Sequence, residues 1–101
     1  MIIFNTTYCV PETIFGKWNT WLQEIYIPRM LETGYFIEPR VCKILNPAED
    51  SDHSYSVQFS TENEESLLAW NEEFGEEFKN NFTGTFGNEV LYFSTLLEVL
   101  L

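Results

Sequence analysis

One imidazole (His53), two thiols (Cys9 and Cys42) and five Lys or Arg are the scarce reactive groups of this 101-residue chain, set among sixteen Asp and Glu. A single histidine cannot build a His-based zinc or iron site within one chain. Serines and threonines abound, but with one imidazole to activate them no nucleophile–base pair is legible. His53 closes the polar turn NPAEDSDH at 46–53, where exposure to solvent is the expectation. Glu49, Asp50 and Asp52 offer calcium-ligand chemistry in that turn, yet the EF-hand spacing and its central glycine are missing. The five glycines are scattered, so no phosphate-cradling loop forms. Asn5-Thr6-Thr7 fits N-x-[ST], but an unsecreted strand is not glycosylated. No metal and no cofactor are expected.

Two of the five cations, Arg40 and Lys43, fall together in FIEPRVCKIL at 36–45. That stretch reads as a strand, and Pro39 inside it marks an edge or a bulge. Charge on an edge strand discourages unwanted pairing, which accounts for Lys43. Arg40 calls for a second explanation, and that depends on which way it faces.

The elements follow from periodicity. Residues 2–9 alternate, with Ile2, Phe4, Thr6 and Tyr8 on one side and Ile3, Asn5, Thr7 and Cys9 on the other. Pro11 suits a first helical turn. Ile14, Trp18, Trp21, Leu22 and Ile25 then form one apolar stripe. Pro28 kinks that helix or starts a new turn, and Gly34 closes it. A third strand spans about 54–61, with Tyr55, Val57 and Phe59 opposite Ser54, Ser56, Gln58 and Ser60. Thr61 to Glu64 reads as a capping box. It opens a helix striped by Leu67, Trp70, Asn71, Phe74, Phe78 and Phe82 and weakened at Gly75 by about 1 kcal/mol. Gly84 and Gly87 mark a loop, and residues 89–100 form the last strand. The order β-α-β-β-α-β predicts an α+β, ferredoxin-like fold: a four-stranded antiparallel sheet with two helices on one face. Residues 1–101 form one domain at this length.

Two helices leave the other face of such a sheet uncovered. Its predicted residues are Ile3, Asn5, Thr7 and Cys9, with Ser54, Ser56, Gln58 and Ser60 from the third strand. Arg40 and Cys42 join them, because Ile37, Val41 and Leu45 make the better core set for the second strand. In the last strand Leu91, Phe93, Thr95, Leu97 and Val99 read as core, which leaves Tyr92, Ser94 and Leu96 on the open face. The candidate pocket or dimer face is therefore Asn5, Thr7, Arg40, Cys42, Ser56, Gln58, Tyr92 and Ser94. Arg40 would pair an anionic ligand there and Tyr92 would supply a flat wall.

The net charge of −11 argues against nucleic acid, whose phosphates need a broad basic patch. It also disfavours anionic membranes. Glu62, Glu64, Glu65, Glu72, Glu73, Glu76 and Glu77 follow the polar side of the second helix; they read as a solvated face, or alternatively as a docking surface for a basic partner. No secretion signal and no membrane-length apolar run is visible, which points to a cytoplasmic protein with reduced, buried cysteines. A Cys9–Cys42 bridge requires their strands to be neighbours. Aromatic content of 17% exceeds what one small core uses and implies self-association.

MIIFNTT, EPRVCKIL, SYSVQF and FGNEVLYFSTLLEVL, together with the YIP of the first helix, resemble a small bacterial family known as domain of unknown function 4286. The resemblance spans nearly the whole chain. It implies membership of the dimeric α+β barrel group, whose ferredoxin-like chains pair sheet to sheet and some of whose relatives are cofactor-free or haem-handling oxygenases. No histidine on a strand or helix is expected here to take a haem ligand's role. The leading expectation is a homodimeric binding or interaction module joined through the open sheet face. The alternative is a cofactor-free oxygenase- or isomerase-like enzyme that holds a small acidic or phenolic ligand between paired sheets.

Overall fold

Alternating apolar residues at the N-terminus open β1 (Ile2–Val10), from which the chain passes into a composite first helix. The computed structural model describes residues 1–45 and 53–101. The first helix begins with a 3₁₀ turn (Glu12–Ile14) set by Pro11, whose carbonyl accepts from the Ile14 N–H at 3.1 Å. It continues as α1 (Phe15–Trp21), widens into a π turn (Leu22–Tyr26) and resumes as α2 (Ile27–Glu32). Pro28 is the physical reason: it has no N–H for residue 24, and the Ile27 N–H reaches back five residues to Leu22 O. Gly34, at φ 84°, ends the helix as its sequence position predicts.

β2 (Ile37–Lys43), β3 (His53–Thr61), α3 (Glu64–Phe86) and β4 (Leu91–Glu98) complete the chain. The sheet order is β2-β3-β1-β4, and every neighbouring pair is antiparallel. The fold is thus the expected βαββαβ, ferredoxin-like one. β2 is an edge strand, and its register shifts between Ile37 and Arg40, where Glu38 sits at φ 54°. The bulge and the edge position anticipated from Pro39 are both present.

The core lies between the sheet and the helices. Trp18, Leu22, Met30, Val10, Val57, Phe59 and Phe86 are all but fully buried. Side-chain ties hold the helices together above it. Trp21 Nε1 donates to Asn81 Oδ1 at 2.9 Å, and Arg29 donates twice to the Glu77 carboxylate, each at 2.9 Å. Tyr35 donates to Glu73. Two of the seven glutamates predicted to form a solvated face therefore clamp α3 to the first half of the chain. Among the described residues, no helix is long and apolar enough to cross a membrane.

Several sequence expectations are corrected. α3 is capped by Asn63, whose Oδ1 accepts the Ser66 N–H at 2.9 Å, whereas Thr61 is buried at the end of β3 opposite Ile2. Gly84 lies inside α3, which runs on to a cap at Gly87. His53 opens β3 opposite Val10 instead of lying in a loop, so a histidine does stand on a strand. The turn carrying Glu49, Asp50 and Asp52 lies outside the described residues. Cys42 is exposed and Cys9 half-buried; both are free. β3 runs between their strands, so the two thiols are not neighbours. Ile37, Val41 and Leu45 are exposed where a core set was expected; the register shift leaves Ile37 opposite Ser60 on the open side, whereas Val41 stands opposite Val57 on the covered side, so the three do not share a face.

Candidate functional site

Facing residues of an antiparallel pair project from the same side of the sheet, so the registers assign every strand residue to a face. Tyr8 and Val57 belong to the core on the covered side. On the open side, Asn5 stands opposite Gln58 and Thr7 opposite Ser56; Arg40 and Cys42 flank the same two β3 residues from β2. Six of the eight predicted site residues therefore share the open face.

Four of the six form a connected polar network. Gln58 Nε2 donates to Ser56 Oγ at 3.2 Å, Ser56 Oγ donates to Asn5 Oδ1, and Asn5 Nδ2 donates to Thr7 Oγ1 at 3.4 Å. Arg40 projects beside this network, exposed. Among the described residues no carboxylate lies within ion-pair distance of it.

Tyr92 and Ser94 are not on this face. They pair with Tyr8 and Thr6, and Ser94 Oγ shares a 3.2 Å hydrogen bond with Thr6 Oγ1 on the covered side. β4 is apolar in both phases of its alternation, so hydrophobicity could not choose between them; the register with β1 does. The inversion puts Leu91, Phe93 and Leu97 on the open face, where they are 68%, 58% and 41% exposed. The open face thus carries a polar network at its centre and, along β4, an apolar strip interrupted by Thr95.

On the covered side, α3 spans the sheet without sealing it over β1 and β4. A cleft of about 420 Å³ remains beneath it. Its floor is Phe4, Thr6 and Tyr8 of β1 with Tyr92 and Ser94 of β4, and Trp21 and Tyr26 of the first helix also line it. α3 supplies the roof, including Trp70, Phe78 and Phe82, with Asn71 and Lys79 as its polar members. Tyr8 packs against Phe82 and Tyr92, with ring centroids 5.9 Å apart in each case.

Burial pushes the Tyr8 phenol well above its ordinary value, and the nearby Tyr26 and Tyr92 add to the shift. Burial likewise raises Tyr26, partly offset by the hydroxyl of Tyr8. Both are therefore neutral hydroxyls that can donate hydrogen bonds at physiological pH. Sequence reasoning missed this cleft. The available signal was Asn71, an amide inside an otherwise apolar stripe, four residues from a mid-helix glycine.

Comparison with solved structures places the fold. The chain is similar to a dimeric ferredoxin-like protein from an uncultured marine organism, with 14% identity, a TM-score of 0.65, and coverage of 99% of this chain and 95% of the other. It is also similar to a Bacillus cereus protein described as a candidate antibiotic biosynthesis monooxygenase, with 20% identity, a TM-score of 0.54, and coverage of 98% and 94%. At these identities the likeness shows the fold alone. No curated protein matches the chain. The family model for the domain of unknown function DUF4286 matches residues 1–100, and the chain belongs to that family.

Proposed function

We propose that this protein is a homodimeric binding module whose two copies pack open sheet face against open sheet face. The observation that carries the reading is the composition of that face: a hydrogen-bonded Asn5–Ser56–Gln58 centre beside exposed Leu91, Phe93 and Leu97. In a chain of net charge −11, self-repulsion opposes association everywhere else. Here the face offers apolar area and neutral polar groups, the composition expected of an interface core. One structural neighbour is itself described as dimeric, which supports the reading at the level of fold.

Arg40 sits toward the β2 edge of this face and Phe93 toward the β4 edge. In the dimer Phe93 is a buried anchor and Arg40 a rim group, so their substitutions differ in consequence. A pocket enclosed between the sheets, as the enzyme alternative requires, would be walled by Asn5 and Arg40 without Tyr92. The homodimer reading therefore assigns this face to association.

Light scattering at micromolar concentration tests it. The expected result is twice the chain mass for wild type and for Arg40→Ala, and the single-chain mass for Phe93→Asp with an unchanged far-ultraviolet spectrum. A wild-type chain at single mass, or a Phe93→Asp protein that stays dimeric, overturns the proposal.

A further inference from the structure

We propose that the cleft beneath α3 is a binding site for a flat aromatic carboxylate, with its ring system held between α3 and the sheet and its carboxylate directed to Lys79 and Asn71. This site lies on the side of the sheet opposite the proposed dimer face, so the two readings stand or fall separately.

The first observation is size and surface. Protein interiors are close-packed, and voids larger than a water molecule are few. A cleft of about 420 Å³ falls within the range of small-molecule sites, which are typically about 300–1,000 Å³ and apolar with a few placed polar groups. Tyr8, Trp21, Tyr26, Phe82 and Tyr92 line it, so rings meet the ligand from both floor and roof. Offset and edge-to-face ring contacts favour an aromatic body over an aliphatic one of equal area.

The second observation is charge. The chain has sixteen acids and five bases, yet the cleft's wall includes Lys79 and no carboxylate. Of the α3 glutamates, Glu77 and Glu73 are engaged by Arg29 and Tyr35, while Glu72 and Glu76 stand one helical turn before Gly75 and Lys79 without lining the cleft. The one charged side chain among the lining residues is thus a cation, which favours an anionic ligand group over a cationic one. The Tyr8 and Tyr26 hydroxyls are held neutral by burial and bring no competing charge.

The third observation concerns Gly75. A helix-interior glycine costs about 1 kcal/mol relative to alanine, so its presence in an unbroken α3 calls for a reason. A Cβ at position 75 would stand 2.5 Å from Asn71 Oδ1. Glycine leaves open the space in which the Asn71 amide lies, and both residues line the cleft. Oδ1 ends an exposed, flexible side chain, so an alanine here would turn the amide aside from its place in the cleft wall.

Titration of the protein with 2-naphthoate, followed by calorimetry, tests the assignment against two isosteres, neutral 2-naphthalenemethanol and cationic 2-naphthylmethylammonium. Naphthoate is expected to bind at least about tenfold more tightly than either. Lys79→Met, a change at an exposed side chain, should erase that preference while leaving the alcohol's affinity in place. Gly75→Ala should weaken naphthoate severalfold in a folded protein. Leu68→Glu, a carboxylate added at the exposed rim, should abolish naphthoate binding.

Failure of naphthoate to bind wild type overturns the site. Equal affinity for Lys79→Met overturns the anion assignment, and preference for the ammonium overturns it in favour of a cation. Loss of binding with Phe93→Asp but not with Leu68→Glu places the probe on the open face and overturns the cleft. A dimer that fails while naphthoate still binds refutes only the dimer reading.

Discussion

The two faces of the sheet are built from the same four strands and obey different rules. The covered face is a dense aromatic layer: Tyr8, Trp18, Trp21, Tyr26, Phe59, Trp70 and Phe82 are each at most 8% exposed. The open face holds a small polar network and an apolar strip that no other part of the described chain covers. On the covered face large side chains fix the monomer by exclusion of water and mutual contact. On the open face small hydroxyls and amides hold one another in place, and the large apolar groups are left over. Stability is therefore concentrated on one side, and the proposed dimer would use the other.

Separating those roles by substitution is the sharpest way to break the comparison. Trp18→Ala, at a site 1% exposed, is expected to destabilise the chain by about 3–5 kcal/mol, read from the urea midpoint. Trp18→Phe should cost much less than Trp18→Ala, since the indole N–H has no hydrogen-bond partner among the described residues and only volume is lost. If the alanine variant unfolds no earlier than wild type, the covered face does not carry the stability.

A medium-sized effect is expected at high pH. The phenols of Tyr8 and Tyr26 are held above their ordinary value of 10.0, chiefly by burial. A raised folded-state value means the unfolded chain loses its protons first, so stability is complete below pH 10 and declines as pH rises beyond it. Urea midpoints measured across that range should fall, and Tyr8→Phe should make the fall shallower. An unchanged slope in Tyr8→Phe would remove Tyr8 from the account.

The smallest effect belongs to the open face. Asn5→Ala leaves Ser56 and Thr7 without their shared partner and should lower monomer stability by about 1 kcal/mol. The same substitution should weaken the proposed dimer more visibly than it weakens the fold, as a concentration series of midpoints would show. A loss as large as that of Trp18→Ala would mean that the two faces are not divided as described.

Much of this architecture was legible in the chain because it rests on local rules. The period-2 alternation of β1 and β3 puts Phe4, Tyr8, Val57 and Phe59 on one side without ambiguity, and the structure agrees. Pro39 and Gly34 announced a bulged edge and a helix end through backbone sterics alone. β4 was read in the wrong phase because Leu91, Phe93 and Leu97 look as core-like as Tyr92 and Leu96. A strand that is apolar on both sides carries no facing information. Six of eight candidate residues came together on the open face, and the two that did not, Tyr92 and Ser94, both lie on that strand.

What the sequence by itself determined was the order of elements, the edge character of β2, the strongly acidic net charge, and the polar centre of the open face. Each depends on residues close together in the chain or on composition. Only the tertiary structure decided the facing of β4, the separation of Cys9 from Cys42, and the cleft beneath α3. These follow from the β1–β4 register and from how far one helix reaches across the sheet. Both are contacts between segments some ninety residues apart or across a whole layer, and a one-residue shift in such a register turns every side chain to the other face.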